Sequence, residues 1–302
     1  MAIELITKYI PLLDEVWKQG LKTTDLNMNM SLVLEAQSAN EVKIPKIDSQ
    51  ALADYDRATG FVAGTSSLVW ETHTFTQDRG RSIQVDNADN LETAGVAFGA
   101  LGGDFMRTKV VPETDAYRFA KMAAGGANTV AADLTSSTVD KAIIDAETVM
   151  DDANVPEEGR ILYVSNEVYG LIQQSDNFSR QLMPGNDINT KFEFYNNMKV
   201  VKVPRTRFYS EITLYDGTTG GQENGGYIKT AVTGKDLNFM IVHPSAVVPA
   251  VKLSKVRVFT PDGEGGTPVT ENADAYKFQM RLYHDLWVLE NKVDGIYTHT
   301  KA

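Results

Sequence analysis

The chain has no cysteine among its 302 residues. Disulfides, thiolate metal sites and cysteine nucleophiles are therefore excluded together, and the absence fits a reducing compartment. It has no apolar run of the roughly 18 residues that a membrane-spanning helix needs. The opening segment MAIELITKYI lacks a basic stretch, an apolar core and a small-residue cleavage site, so no secretion signal is expected. Basic residues are in deficit: 29 Lys and Arg stand against 40 Asp and Glu, a formal net charge of -11. A dedicated nucleic-acid binder would show a basic surplus; a container for nucleic acid needs only a wall that does not stick to it. No internal repeat or heptad array is present.

Reactive signatures are missing as well. There is no G-x-S-x-G elbow and no phosphate-cradling loop. Gly263, Gly265 and Gly266 form a Gly-rich patch, but no helical pattern follows, which excludes a dinucleotide fingerprint. The histidines His73, His243, His284 and His299 share no ligand-like spacing and read as ordinary strand or loop residues. Asp54 to Gly60 (DYDRATG) resembles the start of a calcium loop. Its glycine comes one place late, and Thr65 stands where a bidentate Glu is required, so the match is rejected. Asp151 and Asp152, near a helix end, read as solvated. No catalytic, cofactor-binding or metal-binding residue is assigned, and no enzyme is expected.

What the chain does have is an ordinary folded composition, 42% hydrophobic and 23% charged. Its length suits one large domain or two modest ones, cored without staples. Ile3, Ile6, Ile10, Leu13 and Trp17 predict an amphipathic helix over 1–22, with a break or kink at Pro11. From Leu21 to Asn40 the composition turns polar and predicts an extended arm that orders best against a neighbouring subunit. Val42, Ile44 and Ile47 mark a short strand interrupted by Pro45. Leu68 to Thr76 alternates with two mixed faces. Asp78, Arg79 and Gly80 supply turn chemistry, and Arg81 to Val85 reads as the return strand of a long projecting hairpin.

Leu91, Ala94, Phe98, Leu101 and Phe105 make one apolar stripe of a helix over 87–107. Gly95, Gly99 and Gly102 make a second stripe, read either as local weakness or as room for a close backbone. Val111-Pro112-Glu113 opens a second helix buried through Ala116, Phe119, Ala120 and Ala123 and ended by Gly125 and Gly126. Beyond a small, polar boundary at 127–136, Val139, Ile143, Ala146 and Met150 mark a helix capped by Ser136 or Ser137. Arg160 to Val164 is a buried strand, and Ser165 caps the helix that follows. The stretch 176–197 reads as irregular, and Val200 to Val203 as a strand. Asp216 to Gly226 is predicted as an exposed, mobile loop, and 262–272 as another Gly-rich loop. Phe239 to Val242, Val247 to Val258, Ala275 to Leu289 and Val293 to Thr298 read as strands, the third with one apolar face.

Taken in order, several segments resemble the major capsid protein of tailed bacteriophages, the Hong Kong ninety-seven-type fold. They are WETHTFTQDRGRSIQVD (70–86), VVPETDAYRFAKMA (110–123), RILYVSNEVYGLI (160–172), MIVHPSAVVPAVKLSKVRVF (240–259) and AYKFQMRLYHDLWVLENKVDGIYTHTK (275–301). The resemblance covers nearly the whole chain and rests on the combination, since no single motif is diagnostic. It implies an α+β capsid fold with an N-terminal arm (1–40), an extended β-hairpin loop (41–88), a peripheral domain with a long spine helix (89–130), an axial domain (131–245) and C-terminal strands completing the peripheral domain (246–302). It further implies a structural subunit of an icosahedral shell, self-assembling into hexamers and pentamers around non-specifically packaged double-stranded DNA. The implied partners are further copies of itself, scaffolding protein, portal and decoration proteins, with no membrane. Assembly in the host bacterial cytoplasm and residence in the virion follow. The start at Met followed closely by the arm leads us to expect a separate scaffolding protein. Two other readings stay open: an encapsulin-like bacterial compartment shell of the same fold, and a monomeric β-rich carbohydrate-binding protein using Trp70, Tyr227 and Trp287 as sugar platforms.

Overall fold

A computed structural model describes residues 20–26, 34–35, 41–87, 101–175, 194–259 and 275–302. The helix expected over 1–22 (its last three residues apart), most of the arm, the 91–98 part of the apolar stripe, Gly95, Gly99, the 176–193 stretch and the 262–272 loop lie outside these residues. The strands and helices are, in chain order, β1 (Leu34–Glu35), β2 (Glu41–Ser49), β3 (Ser66–Thr74), β4 (Gln77–Asp86), α1 (Leu101–Phe105), α2 (Val111–Gly125), β5 (Asn128–Ala131), α3 (Val139–Asp152), β6 (Ile161–Ser165), α4 (Asn166–Gln174), β7 (Phe194–Tyr195) and β8 (Met198–Val203). They continue with β9 (Ile212–Leu214), β10 (Tyr227–Lys229), β11 (Leu237–Val242), β12 (Val247–Phe259), β13 (Ala275–Val288) and β14 (Ile296–Thr300).

The central body is a six-stranded sheet in the order β5-β14-β11-β6-β8-β7. Strands β6, β11 and β14 are buried along their whole length. Such near-continuous apolar runs are what a strand covered on both faces requires. Helices α3 and α4 cover one face, where Val139, Ile143, Ala146 and Met150 meet Leu162, Val164, Phe239 and Ile241. On the other face, Phe119 and Met122 of α2 pack on Tyr163, Met240, Val242 and Ile296. Ser165 caps α4 as expected, its hydroxyl accepting the Val168 N–H at 3.2 Å. The cap of α3 is corrected. Thr138 holds that place, with its hydroxyl turned back to accept the Thr135 N–H at 3.0 Å, so neither Ser136 nor Ser137 is the capping residue.

The two helices expected on either side of Val110 are one continuous rod. A π turn over Met106–Val110 joins α1 to α2, and Val111 N–H donates to the Met106 carbonyl. The reason is Pro112, which has no N–H to give and whose ring would press on the Thr108 carbonyl in a regular α-helix. The wider turn removes that conflict. At the far end, a Cβ on Gly125 would sit 2.6 Å from Val288 Cγ2, and one on Gly126 would sit 2.8 Å from Ile296 Cγ2. The helix ends where it passes between two strands with no room for a side chain. Gly102 supports the close-approach reading of the glycine stripe, with a ring as the neighbour instead of backbone: its Cβ would lie 2.9 Å from Phe278 Cε2.

A second sheet, β12-β13-β4, lies along α1 and α2, and a third, β1-β2-β3, forms the projecting hairpin. Here the sequence reading of the hairpin fails in its pairing. Strand β3 pairs with β2, from Glu41↔Thr74 to Ser49↔Ser66, while β4 pairs with β13, from Ala275↔Asp86 to His284↔Gln77. Asp78, Arg79 and Gly80 form no turn but run straight within β4. Gly80 marks a tight strand contact, since a Cβ there would be 2.8 Å from the Met280 carbonyl oxygen. Pro45 does not interrupt β2 either. The short β1 covers only Val42 and Lys43, so at Pro45 the outer edge of β2 has no partner among the described residues and a missing N–H is tolerated.

Two further expectations are corrected. The last strand, β14, does not complete the β12-β13 sheet; the turns of Glu290–Gly295 carry it into the central sheet between β11 and β5. The 216–226 tract is exposed, as expected, but its backbone is built on defined turns instead of being irregular. Gly217, Gly221, Gly225 and Gly226 all take positive φ, and the Asp216 carboxylate accepts the Thr218 and Thr219 N–H groups at 2.8 and 2.9 Å.

Candidate assembly surface

Two buried carboxylates fasten the extended segments to the body. The first is Asp115, in the first turns of α2 and fully inaccessible. It accepts the Lys22 N–H (3.0 Å), the Thr23 N–H (3.2 Å), the Thr23 hydroxyl (3.0 Å) and Arg207 Nη1 (3.0 Å). Arg207 is itself buried and also donates to the Gly20 carbonyl at 2.9 Å. Arg118 Nη1 reaches the Thr23 hydroxyl at 3.0 Å from the next turn. Leu26 then enters the core beside Phe119 and Phe208. A charge this deep is tolerable only when paired and hydrogen-bonded, and here its partners include the backbone of the arm. The start of the described chain is thereby tied to α2 and to the Arg205–Arg207 turn.

The second carboxylate is Asp285 of β13, which accepts the Tyr117 hydroxyl (2.7 Å), the Thr76 N–H (2.9 Å), the Thr76 hydroxyl (2.7 Å) and the Leu286 N–H (2.8 Å). Burial pushes the Tyr117 phenol well above its ordinary range, which keeps it a donor. Thr76 is the bend between β3 and β4, so this cluster holds the hairpin root. Around it Val42 and Ile44 pack with Val248, Ala250, Trp287 and Leu289, and Phe75 lies edge-on to Trp287 with centroids 5.0 Å apart. Glu113 of α2 pairs with Arg79 of β4 at 2.7 Å, locking helix to sheet.

The far end of the hairpin has no such support. Leu52 is fully exposed and Phe61 is 88% exposed, with Tyr55, Val62, Leu68 and Val69 also open. The Tyr55 and Phe61 rings meet each other, 4.8 Å apart, and lie open to solvent. The turn Asp56–Gly60 closes the tip, with Gly60 at φ +84° and Ala58 N–H donating to Asp56 Oδ1 at 2.7 Å. This is where the rejected calcium motif sits. A rigid root carrying an exposed apolar tip is a surface built to be covered.

The residues weighed for chemistry are scattered. His73 stacks on Trp287 at 5.2 Å; His284 meets the Tyr117 ring edge-on at 5.4 Å; His299 approaches Asn238 Nδ2 at 3.1 Å; His243 Nδ1 approaches Ser245 Oγ at 2.7 Å. Among the described residues no group of three or more His, Asp or Glu side chains is placed to hold a metal. Asp151 is exposed, as expected, and in addition pairs with the buried Arg160 at 2.6 Å. Of the three aromatics considered as sugar platforms, Trp287 is buried in the hairpin root, Tyr227 donates to the Thr206 carbonyl at 2.8 Å, and Trp70 lies on the hairpin. They form no common platform. Sequence reasoning assigned no role in such a cluster to Asp115, Arg207, Thr23, Tyr117 or Asp285. The one available signal was an Asp among the apolar residues of an otherwise buried helix.

No protein-family model matches the sequence, and no curated protein matches it. Solved structures do. A chain of Mycobacterium phage Che8 superposes with a TM-score of 0.64 at 15% identity, covering 99% of this chain and 98% of that one. A chain from the capsid of cyanophage P-SCSP1u gives 0.67 at 14% identity, covering 99% and 93%. One from the mature capsid of bacteriophage PhiM1 gives 0.64 at 12%, covering 100% and 92%. The chain has the phage capsid fold. The resemblance to phage capsid proteins, and the α+β class it implied, are borne out. In this capsid fold, Asp115 and Asp285 sit where the extended elements leave the body.

Proposed function

We propose that the chain is a shell subunit of a tailed-phage head, without enzymatic activity, assembling as hexamers and pentamers around double-stranded DNA. The observation that carries this reading is the hairpin: its root is locked to the body by Asp285 and the Trp287 cluster, while its tip exposes Leu52, Tyr55, Phe61 and Val62. A lone soluble protein gains nothing from such a tip, whereas a subunit that lays it over a neighbour buries it. Many such contacts, each weak, add up by multivalency to a strong shell. Residues 1–40 then act as the N-terminal arm, 41–88 as the extended loop, 89–130 as the peripheral domain, and 131–245 as the axial domain meeting its copies at the symmetry axes. The segment 246–302 divides, β12 and β13 serving the peripheral sheet and β14 the axial one. The shell forms in the host cytoplasm with scaffolding protein, carries portal and decoration proteins, and resides in the virion.

The test is sedimentation of the recombinant chain from bacterial lysate, alone and co-expressed with a phage scaffolding protein. Shell-sized material that contains this chain supports the proposal. A monodisperse monomer under both conditions overturns it.

A further inference from the structure

Asn224-Gly225 is the sole Asn-Gly step in the chain, and it lies in the glycine-rich tract that ends at Gly226. Asn224 is exposed, and its side-chain amide has no hydrogen-bond partner among the described residues. Gly225 and Gly226 take φ of +64° and +86°, a region that residues with a Cβ rarely adopt. With no side chain on Gly225, nothing on that residue shields its backbone nitrogen from the Asn224 amide carbon. The Asp-Gly steps in the described chain lack this freedom. The Asp216 carboxylate is held by the Thr218 and Thr219 N–H groups and by the Thr219 hydroxyl at 2.6 Å. Gly295, after Asp294, is buried.

Such a step carries its electrophile and its nucleophile side by side, so the reaction is intramolecular. The Gly225 nitrogen gives up its proton and attacks Asn224 Cγ. The new N–C bond closes a five-membered imide, the Cγ–Nδ2 bond breaks, and ammonia leaves with a proton. Water then adds to one of the two imide carbonyls. Opening at Cγ gives an aspartyl residue; opening at the main-chain carbonyl gives an isoaspartyl residue, whose main chain is one carbon longer. Water is the only co-reactant. In the folded chain the nucleophile is engaged, since the Gly225 N–H donates to the Gln222 carbonyl at 2.9 Å. The turn that makes this bond is clamped from β4. Arg79 Nη1 and Nη2 donate to the Tyr215 and Gly226 carbonyls at 2.8 and 3.3 Å, and Arg81 Nη2 donates to the Glu223 carbonyl at 3.1 Å. The Gly226 carbonyl also accepts the Tyr215 N–H at 2.9 Å. Arg81 fits closely here: a Cβ on Gly217 would lie 3.1 Å from its Nη1. Attack therefore waits for a local opening that breaks the Gly225–Gln222 bond, as amide exchange does.

We propose that Asn224 is a site of spontaneous deamidation, that the Arg79 and Arg81 clamp sets its rate, and that the isoaspartyl product releases the clamp. The extra carbon enters the main chain just ahead of Gly225 and Gly226. It displaces the Gly226 carbonyl, the acceptor that Tyr215 and Arg79 share. The aspartyl product keeps the backbone length and leaves the clamp in place. It adds a carboxylate to the cleft that residue 224 lines together with Arg79 and Arg81. The two products of one reaction thus act differently on the contact between the 215–227 tract and the β12-β13-β4 sheet. The reaction needs only the folded subunit and stands whether or not shells form.

The full-length chain is incubated at mildly alkaline pH, folded and in urea, and position 224 is followed by peptide mass spectrometry with chromatographic separation of the isoaspartyl form. Conversion is expected in both samples, slower in the folded chain by about tenfold or more, because the closed turn must first open. Arg81→Ala speeds conversion in the folded chain several-fold and leaves the rate in urea unchanged, with its fold checked by melting temperature. Where Arg81→Ala does not fold, Arg81→Lys takes its place, keeping the charge but losing the forked donor. The isoaspartyl fraction is expected to exchange the Tyr215 amide faster than both the unmodified chain and Asn224→Asp. A folded chain that stays unmodified at 224 through prolonged incubation overturns the site. Equal rates in the folded and urea samples, or an Arg81 variant that folds and converts no faster than wild type, overturn control by the clamp. Unaltered Tyr215 exchange in the isoaspartyl fraction overturns its release.

Discussion

Replacing Asp115 with Ala removes an acceptor that four donor groups converge on inside the protein. Arg207, only 2% exposed, loses the carboxylate it pairs with at 3.0 Å. Breaking a buried pair by deleting one partner costs roughly 3–5 kcal/mol. Orphaning the buried Thr23 N–H and hydroxyl adds a penalty of about 1–3 kcal/mol, but the groups share one network and the terms overlap instead of adding. Arg207 also keeps its bond to the Gly20 carbonyl. The expected total is about 3–5 kcal/mol. With an unfolding entropy of about 2.1 cal/mol/K per residue, 302 residues give roughly 0.6 kcal/mol/K, so the melting temperature falls by about 5–8 °C. The assay is thermal unfolding of the unassembled subunit, with amide exchange followed at residues 22–26. Loss of protection there, beyond the global loss of stability, shows that the arm has come away from α2. A shift under about 1 °C, with exchange at Thr23 unchanged, refutes the anchoring role.

Other consequences follow from the same geometry. Asp285→Asn weakens the hairpin root, raising exchange at Phe75 to Gln77 and lowering stability by about 2–3 kcal/mol through loss of hydrogen bonds to a charged acceptor. Phe61→Ser with Leu52→Ser leaves subunit stability within about 0.5 kcal/mol, because both side chains are already in water, yet lowers shell yield. Gly125→Ala forces a Cβ against Val288 and costs about 1–3 kcal/mol by denaturant titration. Burial, aided by the Arg118 and Arg79 charges, pushes His284 from 6.5 down to about 4. The unfolded state then binds the proton more readily, so stability held above pH 6.5 is lost as pH falls towards 4, by about 3 kcal/mol in all. His284→Phe flattens that part of the pH–stability curve; an unchanged slope excludes His284 as its source.

The local elements were legible because they obey short-range rules. Val139, Ile143, Ala146 and Met150 fall on one helical face and are all buried. Ser165 is an N-cap by residue type and position, and RILYV is a strand by its unbroken apolar run. Pairing was less legible. Asp78-Arg79-Gly80 has the composition of a turn, and only the presence of β13 alongside makes Gly80 a strand residue. Asn128–Ala131 carries too little apolar content to read as a strand, and its pairing with β14 lies far along the chain. The site was the least legible part. Asp115, Thr23 and Arg207 are separated by 92 residues on either side of the helix, and no local pattern announces that three polar residues meet in a core.

Electron microscopy of the purified chain under assembly conditions tests the shell-subunit proposal most directly. Closed shells whose averaged images resolve five- and six-fold clusters of this chain, each hairpin crossing onto an adjacent copy, are the predicted result. Dispersed single subunits, with the hairpin tip folded onto its own body, would contradict it.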